Sequence, residues 1–237
     1  MLKRIIPNDT TIANRKKLLT KYLQLQPIQG DWYGFDKGNS KTGVSNCHGE
    51  YVLVWNLPPV VCCPGASECL SFCYNADERT DKFPIEKWCI NWFWTLYKPH
   101  ETLLYIDKQI KSITRPVIRI HSSGDFYSNE YIEMWIELIS RNPQAKFWAY
   151  TRSWKKADLS MQLEKLHSLK NIQLFASVDK DSSLTPPKKW RYCLVGTTLK
   201  NSNLFNCPEQ YNSSSLSCAD CRVCYTKHEE NIYFTMH

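Results

Sequence analysis

The stretch that decides the fold is "PVIRIHSSGDFYSNEYIEMWIELISRNPQAKFWAY", residues 116–150. "PVIRIH" (116–121) is a short apolar run that ends in a polar turn, as a buried strand does. "NEYIEMWIELIS" then sets Tyr131, Ile132, Trp135, Ile136 and Ile139 on one side of a helix. "KFWAY" (146–150) is again strand-like. The same alternation continues downstream. "ADLSMQLEKLHSL" places Leu159, Leu163 and Leu166 on a helical face, and "NIQLFAS" (171–177) and "YCLVG" (192–196) follow as strands. Upstream, "EYVLVWNLPP" (50–59) is a buried strand stopped by two prolines, with a helix through "PIEKWCINWFWTLYK" after it. Strands and helices alternating at this spacing predict parallel βα units, and hence an α/β fold: an incomplete parallel (β/α) barrel of five or six core strands. The gap "VDKDSSLTPPKKW" is too short and proline-rich for a crossover helix, so the alternation weakens there.

The predicted strands share a feature at their C-terminal ends. "VIRI" runs into His121-Ser122-Ser123-Gly124-Asp125, "KFWAY" into Thr151-Arg152-Ser153, and "QLFAS" into Val178-Asp179. Parallel sheets and barrels place their sites at those ends. Arg119, His121, Tyr150, Arg152, Ser177 and Asp179 are therefore the candidates to face a substrate. Arg119 and His121 share strand parity, which predicts that both point into the barrel.

Eleven cysteines are spread unevenly over 237 residues. "CCPGASECLSFCYN" (62–75) holds four of them, with Cys63, Cys69 and Cys73 spaced C-x5-C-x3-C. Neighbouring side chains diverge, so Cys62 is the spare. Pro64 and Gly65 tighten the loop so that three thiolates converge. Three ligands leave one position open on a [4Fe–4S] cube, and an open position is what catalysis requires. "CPEQYNSSSLSCADCRVC" supplies Cys207, Cys218, Cys221 and Cys224. C-x2-C-x2-C with a remote Cys-Pro is an iron–sulfur spacing, and zinc is the alternative at this site. An odd cysteine total fits a pure disulfide framework poorly. Cys89 and Cys193, in apolar runs, read as core residues.

Net charge is +7 and is concentrated at the N-terminus, where residues 1–30 hold six Lys/Arg against Asp9 alone. "TTIANRKKLLTKYLQL" predicts an amphipathic basic helix, a candidate contact for nucleic acid or another acidic partner. The start has no apolar secretory core, and no stretch approaches the roughly 18 apolar residues of a membrane span. The expectation is a cytoplasmic protein without membrane contact, in the host cytoplasm if phage-encoded. The chain divides into a basic helix and loop (1–49), a βα core with the first cysteine group (50–200) and a four-cysteine metal segment (201–237).

Two resemblances follow from these residues. Phe72 before Cys73 in "CLSFCY", after the first core strand, resembles the cluster loop of the radical S-adenosylmethionine superfamily. "SSGDF" (122–126) falls where that superfamily has a Gly-Gly-Glu-like motif for the cofactor's amino group. The spacings x5 and x3 replace x3 and x2, and Gly-Asp replaces Gly-Glu. The resemblance implies that Asp125 holds the cofactor's amino group, Ser123 its carboxylate, with Gly124 allowing close approach and Tyr74 lining the adenine. "KGNSKTG", "WNLPP", "CPGASECLSFCYNA", "SSGDFYSNEYIEMW", "FWAYTRSW" and "CADCRVCY" resemble successive blocks of a phage and plasmid family called gene product 88, over roughly residues 37–225.

The expected function is an iron–sulfur enzyme that reductively cleaves S-adenosylmethionine at the three-cysteine cluster, served by an electron donor, with a second cluster at the C-terminus. The alternatives are a non-catalytic iron–sulfur or zinc protein that binds nucleic acid by stacking on Trp32, Tyr33, Trp148 and Trp154, or an electron-transfer protein. Substrate identity is not legible in these residues.

Overall fold

A computed structural model describes residues 34–39, 41–67, 69, 73, 75, 82–179, 184–197, 201, 203–210 and 216–235, with the backbone alone for 82–86 and 179. The expected basic N-terminal helix, Trp32, Tyr33, Phe72 and Tyr74 lie outside the described residues, as does the side chain of Asp179.

The architecture is a mixed α/β fold around an open eight-stranded sheet of order β1-β2-β3-β4-β5-β6-β8-β7. The strands are β1 (Asp36–Lys37), β2 (Tyr51–Trp55), β3 (Pro116–Ile120), β4 (Lys146–Thr151), β5 (Ile172–Asp179), β6 (Arg191–Gly196), β7 (Phe205–Asn206) and β8 (Ile232–Thr235). Only β1 runs antiparallel to its neighbour; every other pairing is parallel. The helices are α1 (Lys82–Tyr97), α2 (Pro99–Lys111), α3 (Asn129–Arg141), α4 (Ala157–His167) and the one-turn α5 (Cys218–Cys221). The expected strands at 50–59, 116–121, 146–150, 171–177 and 192–196 all form. The sheet has free edges at β1 and β7 and does not close.

Strand parity sorts the core into two layers. Leu53, Trp55, Ile118, Ile120, Phe147, Ala149, Leu174 and Ala176 face the helices, where they meet Ile106 and Ile110 of α2, Trp135 of α3 and Leu163 of α4. The opposite face carries Val52, Val117 and Trp148, covered by Ala219 and Tyr225, and Phe175, Cys193 and Ile232 of β8, packed with Cys207. This is why "YVLVW" reads as an unbroken apolar run: a parallel strand buried on both faces has no polar side. The second cover is the cysteine-rich C-terminal segment, which lies across the inner face of the sheet and also supplies β7 and β8 as strands.

Glu50, just before β2, anchors that cover. It accepts from Arg222 Nε and Nη2 at 3.0 Å each, from Asn46 Nδ2 at 2.7 Å, from Tyr225 Oη at 3.1 Å and from Lys146. Burial would raise the Glu50 carboxyl, but the hydrogen bonds from Arg222, Lys146 and Asn46 outweigh it and hold the pKa down to about 2. An unfolded glutamate titrates near 4.5. The resulting stabilisation of about 3 kcal/mol is complete above the unfolded pKa and is lost as pH falls from there toward 2. Urea unfolding of Glu50→Gln should show a lower midpoint than wild type at pH 7, and the gap should narrow as pH falls from 4.5. A gap that is constant with pH would contradict this role.

Candidate active-site cavity

The chain leaves the C-terminal end of each central strand into a loop, and these loops are tied to one another. Asn56, directly after β2, is the hub. Its Oδ1 accepts from the Ser122 amide at 2.9 Å, the Ser122 hydroxyl at 3.0 Å and the Ser123 amide at 3.0 Å, while its Nδ2 donates to Asp36 at 2.8 Å. The Leu57 amide donates to the Ser123 carbonyl at 3.0 Å, and Asn75 Nδ2 to the Ser122 carbonyl at 2.8 Å. The loop carrying the first cysteines is thereby stitched to the loop after β3. Gly124 sits at φ 84, and a Cβ there would lie 2.6 Å from Leu57 Cβ. That conformation and that approach both demand glycine.

Gly65 makes the second stitch. A Cβ on it would lie 2.0 Å from the Arg152 carbonyl oxygen, so the cysteine loop rests directly on the backbone after β4. The expected tightening by Pro64 and Gly65 thus has a specific partner. Gly65→Ala must push two backbone segments apart, at about 1–3 kcal/mol. A lower urea midpoint is expected; an unchanged midpoint would show that the two loops separate without cost.

Between these loops and the C-terminal cover lies a cavity of about 250 Å³. Cys63, Cys69 and Cys73 line it from the β2 side, and Cys207, Cys218 and Cys224 from the cover. The two cysteine groups, remote in sequence, thus share one space. Cys193 also reaches it, from the inner face of β6. Cys62 instead is fully buried in the helix-side core. Cys221 lines a smaller cavity of about 20 Å³ with Cys207, Cys218 and Cys224, so the four C-terminal cysteines border one small space. The one-turn α5 brings this about. A reciprocal Ser217–Asp220 capping box starts it, and Arg222 at φ 65 ends it in the left-handed region, turning Cys224 back toward Cys218 and Cys221.

Burial raises the thiol pKa of Cys63 and Cys224, and pushes Cys207 up to about 11. Cys218 is also raised by burial, against the opposing charges of Arg119 and Lys41. Without a cation these thiols stay protonated at neutral pH. Among the described residues no three His, Cys, Asp or Glu side chains stand close enough to hold a single metal ion.

The other expected site residues divide. Arg119, Tyr150, Arg152 and Ser177 line the cavity, as do Ser123, Gly124 and Asp125. Tyr150 packs beside Cys224 where the cover meets the sheet. Arg119 stacks its guanidinium 5.9 Å from the Tyr150 ring. Asp125 is 5% exposed, and its carboxylate serves the loops. It accepts from the Phe126 amide at 2.8 Å, Thr151 Oγ1 at 2.6 Å and the Arg152 amide at 2.8 Å. The Ser123 hydroxyl, by contrast, is buried and has no hydrogen-bond partner among the described residues.

Two expectations need correction. His121 and Arg119 do not share an orientation, because β3 ends at Ile120 and His121 takes φ 66. That turn packs its ring against Phe126 (4.8 Å between ring centres) and Tyr131 on the helix side, although the residue still borders the cavity. Trp148 and Trp154 are buried, at 1% and 9% exposure, and offer no stacking platform to a nucleic acid. Strand parity is the signal that makes Trp148 an inner-face residue. Lys41 and Asn56 lie in the blocks KGNSKTG and WNLPP and Glu50 in none, but no ligand or catalytic spacing marks any of them; the position of Asn56 at a strand's C-terminal end is its one chemical signal.

No helix among the described residues is long and apolar enough to cross a membrane. No solved structure matches the chain. It is similar to the gene 88 protein of Mycobacterium phage L5, at 30% identity over 136 residues, and to that of Mycobacterium phage D29, at 27% over 135. Each match covers 50% of this chain and 54% and 55% of the relatives, so the similarity spans about half the length of those proteins. The profile of gene product 88 matches residues 33–227, which takes in both cysteine groups and every strand but β8, and the chain belongs to the gene product 88 family.

Proposed function

We propose that the protein is an iron–sulfur enzyme similar in kind to the radical S-adenosylmethionine proteins, built on an incomplete parallel barrel. One observation carries this reading: three cysteines after β2 and the Ser123-Gly124-Asp125 loop after β3 line one cavity at the C-terminal ends of parallel strands. The donor set fits. Cys63, Cys69 and Cys73 would hold a [4Fe–4S] cluster with one iron free of protein ligands, and Cys207, Cys218, Cys221 and Cys224 would hold a second, fully ligated one. The spacing C-x2-C-x2-C with a remote Cys207-Pro208 suits a cluster, with zinc the alternative at this site.

The chemistry supplied by the first cluster, when bound, is one-electron reduction of S-adenosylmethionine to start a radical reaction. The protein's own residues position and shield. Ser123, whose hydroxyl has no hydrogen-bond partner among the described residues, lines the cavity where the cofactor's amino-acid end would sit. Gly124 holds the backbone there without a side chain, and Asp125 braces the loops so that this surface is rigid. The cover excludes water from the inner face. Anaerobic purification with iron, sulfide and zinc analysis tests the reading. About eight irons per chain with matching sulfide is the expected result for two [4Fe–4S] clusters. Zinc with no iron would replace the enzyme by a structural metal protein.

A further inference from the structure

We infer that Arg191 is the counter-cation of the metal held by the four C-terminal cysteines, and that its charge decides how firmly that metal is retained and, for a cluster, how readily it takes an electron. The inference rests on the proposed function only for a metal at Cys207, Cys218, Cys221 and Cys224, iron–sulfur or zinc alike.

Strand geometry puts a charge under the cover. Arg191 opens β6 and shares parity with Cys193, which packs on the inner face. Its register partner on β5 is Phe175, and the guanidinium lies over that ring, 4.3 Å from its centre. Nη1 donates to Gln173 Oε1 of β5 and to the Val223 carbonyl of the cover, at 3.3 Å each, and Nε donates to the Glu230 carbonyl at 2.9 Å. Val223 immediately precedes Cys224 and lines the small space that the four cysteines border. The guanidinium thus stands behind one wall of the proposed metal site.

Every acceptor it has is neutral. Nη2 is buried without a hydrogen-bond partner, and the guanidinium pairs with no carboxylate among the described residues. Other cations of this region are committed: Lys41 pairs with Glu209 at 2.9 Å, and Arg222 gives two hydrogen bonds to Glu50. The Glu230 carboxylate is half exposed and stands 3.5 Å from His228. A partly buried cation with neutral acceptors alone is costly, and holding carbonyls does not require a charge. Four thiolates around a [4Fe–4S] core or a zinc ion leave a site net negative, and that is the partner this cation lacks. Burial works against the charge on Arg191, whereas an ionised Cys224 works for it, ahead of Tyr150 and Glu230. Arginine suits the place, because it stays charged and its flat face packs on an aromatic ring.

The test uses the full chain, isolated anaerobically in a Cys63→Ser background that leaves the C-terminal group as the site measured. Metal release is followed with EDTA for zinc and bathophenanthroline for iron, and the potential of a cluster by EPR-monitored titration. Arg191→Met should release metal at least tenfold faster than its parent, and Arg191→Lys within threefold of it. Arg191→Gln, which keeps a donor and loses the charge, should match Arg191→Met. For a cluster, loss of the charge should move the oxidised-to-reduced ratio tenfold toward oxidised at a fixed potential, a fall of about 59 mV. Phe175→Leu removes the ring and keeps the charge, and should leave the potential in place. Release from Arg191→Met at the parent's rate, equal release from the Met and Lys variants, or no metal at these four cysteines would overturn the inference. Metal counts on the wild-type chain keep the two proposals apart. Zinc in place of iron, retained according to the charge at position 191, sinks the enzyme and leaves this inference; two clusters indifferent to that charge do the reverse.

Discussion

Cys221→Ser should lose the metal of the C-terminal group and unfold the cover along with it. The four cysteines border one small cavity and would supply every ligand of the proposed metal, so its binding free energy would be folding free energy. Its apolar contacts with the sheet are made by a few residues, among them Ala219, Tyr225 and Cys207, and its polar anchorage includes the Glu50 cluster, the Lys41–Glu209 ion pair and the backbone bonds from Cys218 and Ala219 to Lys41 and Thr42. Without the metal the inner face, including Trp148, would meet water. The expected outcome is a chain that keeps the iron of the first group, loses that of the second, and becomes poorly soluble with a broad, early melt. Normal melting with unchanged metal content would show that these four cysteines hold no metal.

Asp125→Ala should also be severe, and for a reason unrelated to any cofactor. Removing the carboxylate strands the Phe126 and Arg152 amides and the Thr151 hydroxyl in a dry interior. Each orphaned donor costs about 1–3 kcal/mol, so a loss of about 3–5 kcal/mol is expected where water enters part of the space. Thermal unfolding of the variant should fall by ten degrees or more. A variant that melts like wild type yet fails to respond to S-adenosylmethionine would instead return Asp125 to direct cofactor contact. Ser123→Ala is the cleaner probe of that contact, because its hydroxyl supports nothing else among the described residues.

The central sheet is legible in the sequence because its strands are buried on both faces and read as unbroken apolar runs. β2, β3, β4, β5 and β6 all stand where such runs predict them. Helix α2 escapes the periodicity reading although Pro99 at its start and Leu103, Ile106 and Ile110 along one face are signals; it follows α1 after a single residue, which hides the break. β1 and β7 have two residues each and β8 four, below the length at which periodicity speaks. The three cysteines after β2 and the polar loop after β3 are readable as neighbours, since adjacent parallel strands end side by side.

Other parts of the site depend on tertiary placement. Nothing local to residues 207–224 says that this segment lies across the inner face of the sheet, so the meeting of the two cysteine groups in one cavity is invisible in the sequence. His121 breaks the parity argument because a single left-handed residue after Ile120 reverses the direction of its side chain. Asp125 holds the expected position with its carboxylate already engaged by three donors. In a buried turn, three nearby donors claim a carboxylate before any ligand does.

The central claim is that the first cysteine group and the loop after β3 form one cofactor site. Its most direct measurement is the EPR spectrum of the anaerobically isolated, dithionite-reduced protein, recorded with and without S-adenosylmethionine. The account predicts a [4Fe–4S] signal whose g-values shift on addition of S-adenosylmethionine, with the shift diminished in Ser123→Ala and the signal of the first cluster lost in Cys63→Ser. A reduced cluster whose spectrum ignores S-adenosylmethionine, or a Cys63→Ser protein with its full iron content, would contradict it.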